Sequence, residues 1–236
     1  MATPMRTRIL MGVVPAMVVP AMGALFYFVL LTGTPIGRII YVATKTFTLI
    51  WPILAVVAIE GRRLVLKSPD LPKHVRAIPA GLSSGIVIAG LIIAFYEWTP
   101  LGDYVRPHHE AIRDKIESLG IRSLSAYFWF SAFMALCHSL LEEYFWRWYV
   151  FGRLTEVLRP PAAYGLASLA FAGHHYVVLG CYFPTWIAVL FGTGVGIGGG
   201  LWCWLYQRQE SLVGVWLSHL FVDAAIVYVG YRLIFL

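Results

Sequence analysis

At 236 residues the chain has room for one or two soluble domains, yet 59% of its residues are hydrophobic, only 13% are charged and its mean hydropathy is +0.74. A soluble domain of this size does not need so much apolar surface, so the composition excludes an ordinary globular protein and favours membrane spans. The net charge of +6 arises mainly between apolar stretches, and no basic patch with interleaved aromatic residues supports nucleic-acid binding.

Apolar segments follow one another along the chain, each close to the ~20 residues that cross a bilayer core as a helix. They lie at residues 9–33, 39–59, 79–98, 125–150, 161–180, 184–206 and 212–235. The predicted fold class is all-α: a polytopic transmembrane helical bundle of about seven spans, with C-terminal helices carrying a polar site. The first segment follows Arg6 and Arg8 as in a signal peptide, but it is longer than an ordinary h-region. We keep it as a span; if it is cleaved, six remain.

Two polar connectors separate the apolar segments. The second, from Leu101 to Ser123, mixes charged residues with isoleucine and leucine, which predicts an interfacial amphipathic helix that links two spans or covers a site. We therefore divide the chain into accessory spans (1–100), this connector (101–124) and a core (125–236). The distribution of Lys and Arg predicts a cytoplasmic N-terminus in the cell's inner membrane. The first connector supplies much of that signal with Arg62, Arg63, Lys67, Lys73 and Arg76.

Ionisable residues occur inside three of the predicted spans. Each costs roughly 2.5–3.5 kcal/mol at the centre of a membrane helix, so each needs a partner or a function. Because the ionisable residues come from three different predicted helices, we expect them to form one polar site. The residues are Glu142, Glu143 and Arg147 in the fourth segment, His174 and His175 in the fifth, and His219 and Asp223 in the seventh.

Helical spacing suggests different roles for the two adjacent acids. Glu143 and Arg147 are four residues apart on one helical face and can neutralise each other. Glu142 is turned by ~100° from Glu143, which leaves its carboxylate available as a general base. His138, one turn earlier, can share that face. The alternative is a buried ion-pair network that only fixes helix packing.

The other two polar segments carry histidines at helical spacing. Phe171 and His175 share one face, whereas His174 lies about 100° away and is expected to serve packing or hydrogen bonding. Asp223 is one turn beyond His219, so it can accept from one ring nitrogen and orient the other. The alternatives are an ordinary interhelical hydrogen bond and a self-contained His–Asp pair.

Three motifs in this order resemble the CAAX protease and bacteriocin-processing family of intramembrane proteases. The family's patterns are EExxxR, FxxxH and HxxxN or HxxxD. In this chain they correspond to Glu142 to Arg147, Phe171 to His175, and His219 to Asp223. Each motif alone is weak, but three in order on separate predicted membrane helices are specific.

The resemblance implies an intramembrane endopeptidase that cleaves a membrane-associated peptide or protein. By analogy, Glu142 and His175 would activate water, while His219 and Asp223 would stabilise the oxyanion or position the substrate. Glu143, Arg147, Phe171 and His174 would support them. No cofactor is expected. The alternatives are zinc bound by Glu142, His175 and His219, or a non-catalytic immunity or transport protein.

Overall fold

The computed structural model of the protein describes residues 4–64 and 70–236. Throughout those residues the secondary structure is helical, with turns between helices and no β-strand. The predicted all-α fold class is therefore confirmed. Lys67, which we placed in the first polar connector, lies outside the described residues.

Six helices in the described ranges are long and apolar enough to cross a membrane. They comprise residues 5–30, 35–59, 71–98, 124–157, 185–209 and 212–235, which makes the chain an integral membrane protein. The helices in chain order are α1 (Met5–Leu30), α2 (Pro35–Ile59), α3 (Leu71–Trp98), α4 (Leu101–Val105), α5 (His109–Ser118), α6 (Leu124–Val157), α7 (Pro160–Tyr182), α8 (Thr185–Gln209) and α9 (Leu212–Phe235).

Helix α7 accounts for the difference between the predicted number of spans, about seven, and the six candidate spans. It covers the predicted fifth span, 161–180, but it is not one of the six sufficiently apolar helices. Its two adjacent histidines, His174 and His175, lower its hydropathy although its length suffices. The six candidate spans of the described residues are therefore consistent with the predicted bundle of about seven.

The ends of several helices follow from local capping. Thr34, Ser123 and Ser211 stand immediately before α2, α6 and α9, and each side-chain oxygen accepts a hydrogen bond from a backbone N–H of the first turn. Helix α3 begins earlier than predicted, at Leu71, so Lys73 belongs to its first turn. The connector between α3 and α6 contains the predicted helix as α5, which has no buried residue.

Helix α6 is regular only in parts. Its α-helical stretches, Leu124–Phe133, Ser139–Glu143 and Gly152–Val157, alternate with π-helical stretches at Met134–His138 and Tyr144–Phe151. A π-helix closes hydrogen bonds between residues five apart, so the relation between residue spacing and helix face changes along α6. The paired glutamates lie at the end of its short central α-helical turn.

Two compact units divide the chain, and each is discontinuous in sequence. Unit 1 comprises residues 1–70 and 144–204. In it, α8 packs on α7 through small residues: a Cβ at Gly196 would lie 3.5 Å from Ala172 Cβ, and one at Gly200 would lie 3.2 Å from Ser168 Oγ. Glycines spaced by four residues therefore allow these two helices to pack closely.

Unit 2 comprises residues 71–143 and 205–236. Its central feature is the close packing of α3 against α9. A Cβ at Gly81 would lie 2.2 Å from the carbonyl oxygen of Gly214, and the Ser84 hydroxyl donates to Ser218 Oγ at 3.0 Å. This packing fixes α9, and with it His219, within unit 2.

Candidate active site

The acidic pair of α6 is largely removed from solvent. The side chain of Glu143 is fully buried, and that of Glu142 is 11% exposed. Both residues end the short α-helical turn of α6 and belong to unit 2. Two adjacent buried carboxylates require positive or hydrogen-bonding partners, which α9 supplies within the same unit.

His219 of α9 is the centre of the polar cluster in unit 2. Its Nδ1 donates to Glu143 Oε1 at 2.6 Å, and its Nε2 lies 3.5 Å from Asp223 Oδ1 and 3.8 Å from Glu142 Oε2. The predicted proximity of His219 to Asp223 is therefore present. The short bond to Glu143 was not predicted, and it makes Glu143 the group that orients the ring.

His138 approaches Glu142 from one turn earlier in α6, as its spacing predicts. Its Nε2 lies 3.8 Å from Glu142 Oε1, while the other carboxylate oxygen faces His219. Glu142 is thus placed between two imidazoles. That position suits a carboxylate that exchanges protons, because each imidazole can act as donor or acceptor.

Arg147 belongs to unit 1, where its guanidinium is buried among aromatic rings. Its Cζ lies 4.4 Å from the centre of the Phe171 ring and 4.9 Å from that of Trp202. The residue is only 1% exposed. These cation–π contacts help to stabilise a buried charge. We did not predict Trp202 as a partner of Arg147. Neither its residue type nor the glycine-rich residues 192–200 before it indicate this contact.

His175 of α7 has a defined tautomer. Its Nδ1 lies 3.0 Å from the carbonyl oxygen of Phe171. Because a carbonyl only accepts hydrogen bonds, Nδ1 carries the hydrogen and Nε2 carries the lone pair of the neutral ring. The ring is also 4.9 Å from that of Phe171, so the predicted shared face is confirmed.

The ring of His174 lies beside that of His175, with centroids 4.0 Å apart, and it also packs on a tryptophan. Its ring is parallel to the indole of Trp146, with an interplanar angle of 2° and centroids 5.7 Å apart. Trp146 is buried. The sequence did not single out this tryptophan, although it stands directly before Arg147. Stacking gives His174 a packing role that fits its predicted supporting position.

Residues of the unit 2 cluster are chemically able to contribute ligands to a metal. Zinc accepts carboxylate and imidazole donors at about 2.1 Å each. The 3.8 Å between Glu142 Oε2 and His219 Nε2 is shorter than two such bonds laid end to end, so one ion could contact both atoms. The third predicted ligand, His175, belongs to unit 1, and the complete set stays a prediction.

The family comparison agrees with the three motifs. Residues 124–225 match the family model described as type II CAAX prenyl endopeptidase Rce1-like. No curated protein and no solved structure matches the chain significantly.

This Rce1-like segment begins at the start of α6 and ends within α9. It includes all four predicted catalytic residues, Glu142, His175, His219 and Asp223. The resemblance stated from the motifs is therefore confirmed, and the family is one of endopeptidases. The first hundred residues lie outside the match.

Proposed function

We propose that the chain is an intramembrane endopeptidase that hydrolyses a peptide bond of a membrane-associated substrate with water activated by Glu142 and His175. The observation that carries the proposal is the buried cluster of Glu142, Glu143 and Asp223 around His219. Burying ionisable residues in membrane helices costs free energy. The match of this segment to an endopeptidase family model supports a catalytic reason for the cluster.

The chemistry requires a proton acceptor and an oxyanion donor. Glu142 accepts a proton from water as the water oxygen bonds to the peptide carbonyl carbon. The carbonyl–nitrogen bond then breaks, and the proton passes from Glu142 to the departing amine. Since Glu143 holds Nδ1 of His219, Nε2 of a protonated ring is the donor that stabilises the oxyanion.

In this scheme Glu143 orients the ring of His219, a role that we predicted for Asp223. Glu143 Oε1 lies 2.6 Å from His219 Nδ1, whereas Asp223 Oδ1 lies 3.5 Å from Nε2. We propose that Asp223 favours the protonated ring and helps to position the substrate. An ionised aspartate only accepts hydrogen bonds, so it does not itself stabilise an oxyanion.

His175 completes the proposed site by sharing the water with Glu142. Its tautomer supports this role, because Nε2 carries the lone pair that accepts a hydrogen bond from water. The substrate is proposed to be a membrane-associated peptide or protein of the CAAX type or a related one. We further propose that the protein resides in the cell's inner membrane with a cytoplasmic N-terminus.

Membrane proteomics tests the proposal directly. Cells expressing the wild-type chain are compared with cells expressing Glu142→Gln, and new peptide termini are quantified. We expect termini that need the wild-type protein to fall by at least about 100-fold, the usual effect of removing a general base. Glu117→Gln, in the helix α5 that has no buried residue, is the matched control and should leave these termini unchanged.

A zinc-dependent form of the same hydrolysis is the second candidate. The separation of Glu142 and His219 favours it, since both donor atoms are within reach of one ion. Zinc would polarise the carbonyl and lower the pKa of water.

Identical termini in wild-type and Glu142→Gln cells, with both proteins folded, would instead indicate a non-catalytic immunity or transport protein.

A further inference from the structure

A cavity in unit 1 lies away from the proposed catalytic residues. It has a volume of about 550 Å³ and is formed by the start of α1 and the junction of α6 with α7. Span α1 begins at Met5 and span α6 ends at Val157, so the cavity lies where two candidate spans end. Its lining residues are Arg6, Glu156, Val157, Leu158, Arg159 and Ala162.

The acid in this lining is already neutralised. Glu156 accepts hydrogen bonds from Arg62 at 2.5 and 3.1 Å, and it also pairs with Arg153. Arg62 and Arg153 in turn approach the buried Glu60 at 3.2 and 3.6 Å. These four side chains form a balanced network beside the cavity.

The two arginines of the lining are not balanced in this way. Within residues 4–64 and 70–236, neither Arg6 nor Arg159 forms an ion pair, and both are exposed. They face the same cavity, which therefore carries a net positive charge. Val157, Leu158 and Ala162 provide an apolar wall next to that charge.

We propose that this cavity binds the phosphate-containing headgroup of an anionic phospholipid. Guanidinium groups bind phosphate oxygens in a bidentate manner, and basic pockets at the ends of membrane helices attract anionic headgroups. The apolar wall suits the glycerol and the first acyl carbons, which favours a lipid over a free phosphate ion. The site is independent of the proposed peptidase activity.

Lipid titration of the full-length protein in detergent, followed by native mass spectrometry, tests this inference. The probes are phosphatidylglycerol, zwitterionic phosphatidylcholine and inorganic phosphate. We expect a preference for phosphatidylglycerol that falls roughly fivefold for Arg6→Gln or Arg159→Gln, and on the order of 30-fold for the double variant. Inorganic phosphate in excess should not displace the lipid.

Matched controls separate this cavity from general surface charge. Arg38→Gln combined with Arg122→Gln removes two exposed arginines at the starts of other helices and should keep the preference within about twofold. Replacing Arg6 and Arg159 by lysine should restore most of it, because the charge returns. Melting temperatures establish that the variants are folded.

Two results would overturn the inference. One is a preference that the double glutamine variant retains in a folded protein. The other is displacement of phosphatidylglycerol by inorganic phosphate, which would identify a simple anion site. Neither result bears on the peptidase, which is measured separately through peptide termini.

Discussion

His219 is contacted on both sides of its ring by acidic residues. Glu143 engages Nδ1, and Glu142 and Asp223 face Nε2. A protonated imidazole carries an N–H group on each side of its ring. The three carboxylates therefore all face N–H groups of the same side chain. Substitution of any one of these acids therefore changes the electrostatic environment of His219.

The two histidines of α7 should differ in their importance for activity. We expect His175→Ala to abolish peptide hydrolysis with little loss of folded protein, because its Nε2 has the lone pair needed at the water. His174→Ala removes a ring stacked on Trp146 and should keep most of the activity. Substrate cleavage and melting temperature are measured for both variants. The opposite pattern would assign the water to His174.

Arg147 should serve stability as well as activity. Arg147→Ala removes the guanidinium that lies over the Phe171 and Trp202 rings and should cost about 2 kcal/mol or more, seen as lower folded yield and melting temperature. Arg147→Lys keeps the charge but loses the planar stack, so only partial recovery is expected. Normal stability of Arg147→Ala with activity lost would place this residue at the reaction centre.

Glu60, which directly follows α2, should make stability depend on pH. Burial raises the pKa of its carboxyl above 4.5, although Arg153 and Arg62 oppose the shift. A raised folded-state pKa means that its stabilising contribution is fully present below pH 4.5 and is lost as pH rises through the folded pKa. Glu60→Gln should therefore flatten the melting-temperature profile above pH 4.5. An unchanged profile would contradict the buried, protonatable state.

Two pairs of helices in the described part of the chain pack closely through small residues. Gly81 faces Gly214 in unit 2, and Gly196 and Gly200 face α7 in unit 1. In a membrane the hydrophobic effect does not drive helix association, so close van der Waals packing has to contribute more. The position of His219 on α9 depends on such packing.

Substitution of Gly81 by alanine tests this dependence. The new Cβ would lie 2.2 Å from the backbone oxygen of Gly214, so Gly81→Ala should destabilise the fold by roughly 1–3 kcal/mol and lower activity. Gly90→Ala on the same helix meets no atom within 4 Å and should be neutral or stabilising by up to about 1 kcal/mol. Thermal unfolding in detergent compares the two. Equal stabilities would mean that α3 and α9 separate readily.

At the scale of the molecule, the predicted catalytic residues come from both compact units. Glu142, His219 and Asp223 belong to unit 2, and His175 belongs to unit 1. The chain leaves unit 2 and enters unit 1 within α6, between Glu143 and Tyr144. A function that needs all four residues therefore depends on the integrity of the whole chain.

Metal content decides between the two forms of the mechanism. If Glu142 is the base without zinc, the purified full-length protein should hold no stoichiometric metal and keep its activity after thorough chelation. Elemental analysis and cleavage assays measure this. The metal-dependent form would be established by two results together. The wild type would hold one equivalent of zinc and regain its activity when zinc is returned, and Glu142→Gln and His219→Ala would each lose the zinc.

The amino-acid sequence was sufficient to predict the membrane class, nearly all of the helices and the set of polar candidates. Apolar length is a local property, and an ionisable residue in such a stretch stands out without any structure. The spacing of Phe171 and His175 also predicted their contact correctly, because α7 is a regular α-helix over that stretch.

The partners of the polar residues depend on how separate helices pack together. Glu143 binds His219, 76 positions away, and the guanidinium of Arg147 lies over the rings of Phe171 and Trp202. The spacing of residues along α6 could not predict these contacts. After Glu143 the helix is π-helical, so its faces no longer follow a 3.6-residue period. Contacts between distant segments arise from the packing of separate helices, and a periodic pattern within one helix carries no information about them.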